Sequence, residues 1–160
     1  MYEFAPSSSA PKPELYRELS AAAAALIDGE SDAVANMANV AALIWQFVPD
    51  LNWAGFYRIV DRGLVLGPFI GKPACIRIAL GEGVCGAAAA SGAVQLVADV
   101  HAFPGHIACD AASKSELVVP VLRGGAVIAV IDLDSPRAAR FDADDAAGIS
   151  ALALLIASAI

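Results

Sequence analysis

Apolar residues change their spacing along this chain, and each change marks an element. Leu15, Leu19, Ala22 and Leu26 recur at helical intervals behind Pro13 and predict a helix that Asp28-Gly29 ends. Ser31 reads as the N-cap of a second helix, with Val34, Met37, Val40, Ala41, Ile44 and Phe47 on its apolar side and Pro49 as its stop. The spacing then shortens to that of strands. Trp53 to Val60 and Leu64 to Phe69 predict a hairpin across Asp61-Arg62-Gly63, and Cys75 to Leu80 a short third strand. Gly81-Glu82-Gly83 leads into a small helix, Val84 to Ala90, closed by Ser91-Gly92. Val94 to Val97 suits a further short strand, and Asp99 to Cys109, with Pro104-Gly105 at its centre, reads as an irregular loop. Glu116 to Leu122 and Ala126 to Leu133 predict a second hairpin, and Asp142 opens a last helix through Ile149, Leu152 and Ile156. This order suits one α+β domain: a central antiparallel sheet with helices on one face and long loops, with a pocket, on the other.

Composition narrows the class. The chain has 160 residues, 58% of them hydrophobic and 17% charged, which fits one well-packed domain over 13–160 behind a Ser- and Pro-rich tail, 1–12, expected to be flexible. A net charge of −7 leaves nothing to neutralise phosphates, so nucleic acid and anionic membranes are poor partners. No apolar run is long enough to cross a membrane, and the first residues lack the pattern of a secretory signal. Three cysteines, an odd number without a CxxC pair, point to a reducing compartment and a cytoplasmic protein rather than a secreted disulfide scaffold.

The candidate chemistry is concentrated between Gly71 and Glu116, which hold Cys75, Cys85, Cys109, His101 and His106. Cys109 ends the irregular loop, and the helix-like DAASKSE after it would put the thiol at a helix N-terminus, where the thiolate is stabilised. Asp110 works against that, but Cys109 remains the best nucleophile candidate. Cys75 and Cys85 flank a strand and its turn; either is able to fold back to Cys109 and condense with a sulfenic acid formed there. Asp132 and Asp134 alternate on one strand and share a face, unusual for a strand, and Glu116 starts the partner strand. Crowded carboxylates raise one another's pKa, so one of them is expected to act as a proton donor. Trp53 and Tyr57 share a strand face and are suited to wall an apolar pocket, although aromatics so placed also serve as core. Three cysteines plus His106 would make a tetrahedral zinc set, but the missing CxxC knuckle argues against a metal centre.

The blocks NWAGFY, LVLGPFxGKxAC, IRIxxGxGVCG, DVHxFxGHIACDAASxSE and VIDLDS, in this order, closely resemble the free methionine-(R)-sulfoxide reductases, which are GAF-domain enzymes. The resemblance runs from about Leu15 to the last residue. It implies a GAF fold without a cofactor, and reduction of free L-methionine-(R)-sulfoxide rather than of protein-bound residues, with thioredoxin as reductant. It further implies Cys109 as the attacking cysteine, Cys75 as its resolving partner and Cys85 as a further thiol in the relay. Trp53 and Tyr57 look like the pocket for the methyl end, and Glu116, Asp132 and Asp134 like the binders of the sulfoxide oxygen and ammonium group. Lys72, Arg77 and backbone N–H groups are all open as partners of the substrate carboxylate. A homodimer through the terminal helices fits a GAF domain. The competing reading is a non-catalytic GAF module that binds a small ligand or senses oxidants.

Overall fold

The computed structural model describes residues 4–7, 10–107 and 110–160. Cys109, the nucleophile expected from the sequence, therefore lies outside the described residues. Six strands form one antiparallel sheet in the order β3-β2-β1-β6-β5-β4. These are β1 (Trp53–Val60), β2 (Gly63–Gly71), β3 (Arg77–Ala79), β4 (Gln95–Val97), β5 (Ser115–Arg123) and β6 (Ala126–Ser135). The helices are α1 (Lys12–Ile27), α2 (Ala33–Phe47), α3 (Gly83–Ser91) and α4 (Ala143–Ile156).

The strand alternation divides the protein into two cores. Ala54, Phe56, Leu117, Val119, Ile131 and Leu133 point to one face and are covered by Leu19, Val40, Ile44, Ile149, Leu152 and Ile156 of α1, α2 and α4. Their neighbours Trp53, Tyr57, Val118 and Val130 point the other way, onto Val84, Cys85 and Ala88 of α3 and onto the loop residue Val100. The sheet thus has helices on one face and a small helix with long loops on the other, as expected.

Local chemistry explains the ends. Asp142 accepts from the N–H groups of Asp144 and Asp145 while Asp145 accepts from the Asp142 N–H, a reciprocal cap worth about 1 kcal/mol. The fully buried Asp145 carboxylate also takes Tyr16 Oη–H at 2.7 Å, Arg140 and Lys12, which ties α1 to α4. The N-terminal segment is joined to this layer: the Ser7 N–H donates to Glu18, and Gln46 Nε2 donates to the Phe4 carbonyl.

Four expectations shift. The cap of α2 is Asp32, not Ser31, because the longer acidic side chain reaches the Ala35 N–H at 2.8 Å. The first apolar stripe buries Tyr16 and Ala23 in place of Leu15 and Leu26, which are only partly covered. The third strand shrinks to Arg77–Ala79, leaving Cys75 in the preceding loop. Finally, the described residues from Asp110 to the start of β5 hold no helix. The Asp110 carboxylate accepts from Ala112 N–H, Lys114 N–H bonds to the Ser135 carbonyl, and β5 begins at Ser115. An Asx turn followed by sheet pairing satisfies the backbone there, so the helix-dipole argument for Cys109 fails.

Candidate active site

Trp53 and Tyr57 project from β1 on the same side, their rings stacked at 5.9 Å between centroids and 23° between planes. Phe69 on β2 stacks on Trp53 at 5.2 Å. Gly55 lies between the two aromatics and opposite Phe69; a Cβ there would stand 2.3 Å from the Phe69 Cβ, so the cluster requires glycine. Both aromatic heads also hold the loop that carries Cys75. Trp53 Nε1–H donates to the Lys72 carbonyl at 3.1 Å, and Tyr57 Oη–H to the Cys75 carbonyl at 2.9 Å.

The second wall is acidic. Antiparallel register sets Glu116 on β5 opposite Asp134 on β6, and Asp132 opposite Val118, so the three carboxylates share the site face. All line one pocket with Trp53, Tyr57, Lys72, Cys85, His106 and Asp110. The pocket has a cavity volume of about 40 Å³, and about 550 Å³ of non-atom space when open solvent is counted.

Cys85 sits in the first turn of α3 and is buried and free. Its placement depends on Gly86, where a Cβ would come within 2.4 Å of the Ala79 carbonyl oxygen. That close approach brings the helix start down onto the sheet. Cys85 Sγ and one carboxylate oxygen each of Glu116 and Asp132 lie within 4.8 Å of one another. Cys75, by contrast, is disulfide-bonded, which removes it from the three-cysteine zinc set considered above.

Burial dominates the protonation of this group. It raises Glu116 and Asp134 well above the usual carboxylate range, and the neighbouring Asp132 charge adds to both shifts. Asp132 is pushed by burial to about 6, held from rising further by hydrogen bonds from Cys85 and Glu116. Within the triad, burial thus pushes Glu116 and Asp134 toward their protonated forms, while the hydrogen bonds from Cys85 and Glu116 favour ionisation of Asp132. The Cys85 thiol is raised well above its ordinary value by burial and by the Asp132 charge beside it. It is a poor thiolate in this state. His106 Nε2 stands 3.9 Å from Glu116 Oε2, and burial and His101 lower its pKa.

A bridge beside the pocket joins residues of three separate sequence motifs. Asp110 pairs with Lys72 Nζ at 3.1 Å and accepts from Asn52 Nδ2 at 3.2 Å, and Asn52 also donates to Ser113 Oγ at 2.9 Å. It joins the loop before β3 to the loop before β5. Lys72, a candidate partner of the substrate carboxylate, has its ammonium engaged by Asp110. Arg77, the other side-chain candidate, lies on the exposed side of β3 and does not line the pocket.

Known proteins share this fold and much of this sequence. The GAF-domain family pattern matches residues 34–160. The free methionine-R-sulfoxide reductase of Escherichia coli is 49% identical over 141 residues, which cover 88% of this chain and 86% of that one. The Saccharomyces cerevisiae reductase of the same name is 42% identical over 158 residues, 94% of this chain and 88% of the relative. The structure of the Neisseria meningitidis free methionine-R-sulfoxide reductase in complex with its substrate superposes with a TM-score of 0.91 at 41% identity, covering 98% of both chains. With a matching fold over nearly its whole length, the chain belongs to the GAF-domain family and, within it, to the branch that holds the free methionine-R-sulfoxide reductases.

Proposed function

We propose that this protein reduces free L-methionine-(R)-sulfoxide to L-methionine through a cysteine sulfenic acid and an intramolecular disulfide. The observation that carries the reading is the buried carboxylate triad beside the Trp53–Tyr57 stack. An ionised Asp132 suits the substrate ammonium group, and the aromatic rings suit its methyl end. Glu116 and Asp134, which burial pushes toward their protonated forms, suit donation to the sulfoxide oxygen.

In the proposed sequence the Cys109 thiolate attacks the substrate sulfur. The S–O oxygen is protonated by Glu116 or Asp134, and methionine leaves as Cys109 takes up the oxygen as a sulfenic acid. The Cys75 thiol then attacks that sulfur, water departs, and the disulfide forms. A thioredoxin-type dithiol restores both thiols. The disulfide at Cys75 and the free, protonated Cys85 favour Cys75 over Cys85 as the resolving residue. Specificity for the free amino acid follows from the acidic wall: a peptide amide carries no ammonium charge to pair with Asp132, which would be left buried and unmatched.

The test is a thiol count. Reduced protein, freed of reductant, is given free L-methionine-(R)-sulfoxide, with the (S) epimer and the N-acetylated compound as controls. One methionine formed and two thiols lost per chain, for the free (R) form alone, is the expected result. Unchanged thiols with no methionine would remove the reductase reading.

A further inference from the structure

We propose that Cys85, Glu116 and Asp132 form a binding site for a zinc ion, and that the ion and the amino-acid substrate exclude each other. The mutual exclusion rests on the reductase reading; the binding does not.

Four observations converge. The donor set is one thiol sulfur and two carboxylates, a combination that suits a borderline-soft divalent ion better than magnesium or calcium, which take oxygen alone. The three ligand atoms lie within 4.8 Å of one another, and a tetrahedral zinc with bonds of about 2.0–2.3 Å needs them about 3.3–3.5 Å apart, a contraction of about 1.5 Å at most. Asp132 is 6% exposed, and its Oδ1 is fully buried without a hydrogen-bond partner. A buried, unmatched carboxylate oxygen is costly unless something is bound to it. Lastly, all three ligands line one pocket whose cavity volume of about 40 Å³ is room for an ion and a water.

On binding, Cys85 releases its proton to water and the sulfur becomes a thiolate ligand. Glu116 gives up its proton in the same way. His106 Nε2 stands 3.9 Å from Glu116 Oε2, outside the group of three. The ion then occupies Asp132, the residue assigned above to the substrate ammonium group, and neutralises the charge that would attract it. Zinc would act as a competitive inhibitor.

The experiment uses the full chain in the oxidised form, in which Cys75 is already disulfide-bonded and Cys85 is free. Cobalt(II) serves as the spectroscopic probe and zinc as its competitor. One equivalent of cobalt should give a thiolate-to-metal charge-transfer band that zinc abolishes. The band should be lost in Cys85→Ser, and Asp132→Asn and Glu116→Gln should each weaken binding by more than the roughly 10- to 100-fold seen for loss of an outer partner. Circular dichroism checks that each variant is folded, and the near-isosteric Asp132→Asn carries the test if Cys85→Ser does not fold. Absence of the band, or a band unchanged in the folded variants, would overturn the site. With reduced protein, zinc should raise KM for the free sulfoxide without lowering kcat; a fall in kcat at constant KM would overturn the exclusion. A cobalt band in a protein that forms no methionine would leave the metal site standing and the reductase reading lost.

Discussion

Tyr57→Phe separates two roles that share one residue. The substitution keeps the ring and its stacking on Trp53 at 5.9 Å, and deletes only the hydroxyl that donates to the Cys75 carbonyl at 2.9 Å. A neutral hydrogen bond of this kind contributes about 0.5–1.5 kcal/mol. Because the bond restrains the loop that carries Cys75, its loss is expected to lower the population of the loop position from which Cys75 acts. At about 1 kcal/mol, a few-fold fewer molecules would be poised at any moment, on a scale where 1.4 kcal/mol is about tenfold. The disulfide-forming step should therefore slow by about three- to tenfold. The first methionine should still form at the wild-type rate, since the methyl pocket is intact. A single-turnover experiment reads both steps: methionine release by chromatography, and thiol loss by rapid alkylation at the same time points. A variant that forms its disulfide at the wild-type rate would refute the claim that this hydrogen bond positions Cys75. A variant in which methionine formation itself slows, with thiol loss slowed to match, would put the hydroxyl on the substrate instead.

Gly86→Ala tests the approach of α3 to the sheet. The new methyl group would stand 2.4 Å from the Ala79 carbonyl oxygen, a backbone atom with little freedom to yield. Overpacking of this kind costs about 1–3 kcal/mol, or roughly 2–10 °C in Tm for a chain of this size, measured by calorimetry; an unchanged Tm would remove the argument. Asp142→Asn tests the helix cap by pH. Lys12 lowers the Asp142 pKa from 3.8 to about 2, so the ionised side chain contributes stability that is present above pH 4 and is lost as the pH falls toward 2. Asparagine retains the cap but not the charge. The variant should thus melt below the wild type at pH 5, and the two curves should converge between about pH 4 and pH 2; a constant gap would mean that the charge is irrelevant.

Much of the candidate site is legible in the amino-acid order alone, for reasons that particular residues make plain. Asp132 and Asp134 are two apart on a strand, and Trp53 and Tyr57 four apart, so a period of two places each pair on one face. The hidden part is whatever requires a partner far along the chain. Nothing near Asn52 or Lys72 announces that both meet Asp110, because that bridge spans two loops whose approach is set by the sheet. The missing helix after position 109 has the same origin. DAASKSE has acceptable helix formers, but Lys114 N–H finds the Ser135 carbonyl, and pairing with β6 overrides local preference.

What the amino-acid order determined by itself was local: the apolar stripes of the helices, the Asp142 cap, the alternation that gives the sheet two faces, and the cysteine-bearing blocks that carry the family resemblance. These depend on neighbours within a few residues, which the chain displays directly. Only the tertiary structure decided that Glu116 stands opposite Asp134, that Cys85 comes down onto Asp132, and that the aromatic heads hold the Cys75 loop. It also decided the protonation of the triad, because burial is the largest cause of each shift and burial is a property of the whole packed domain.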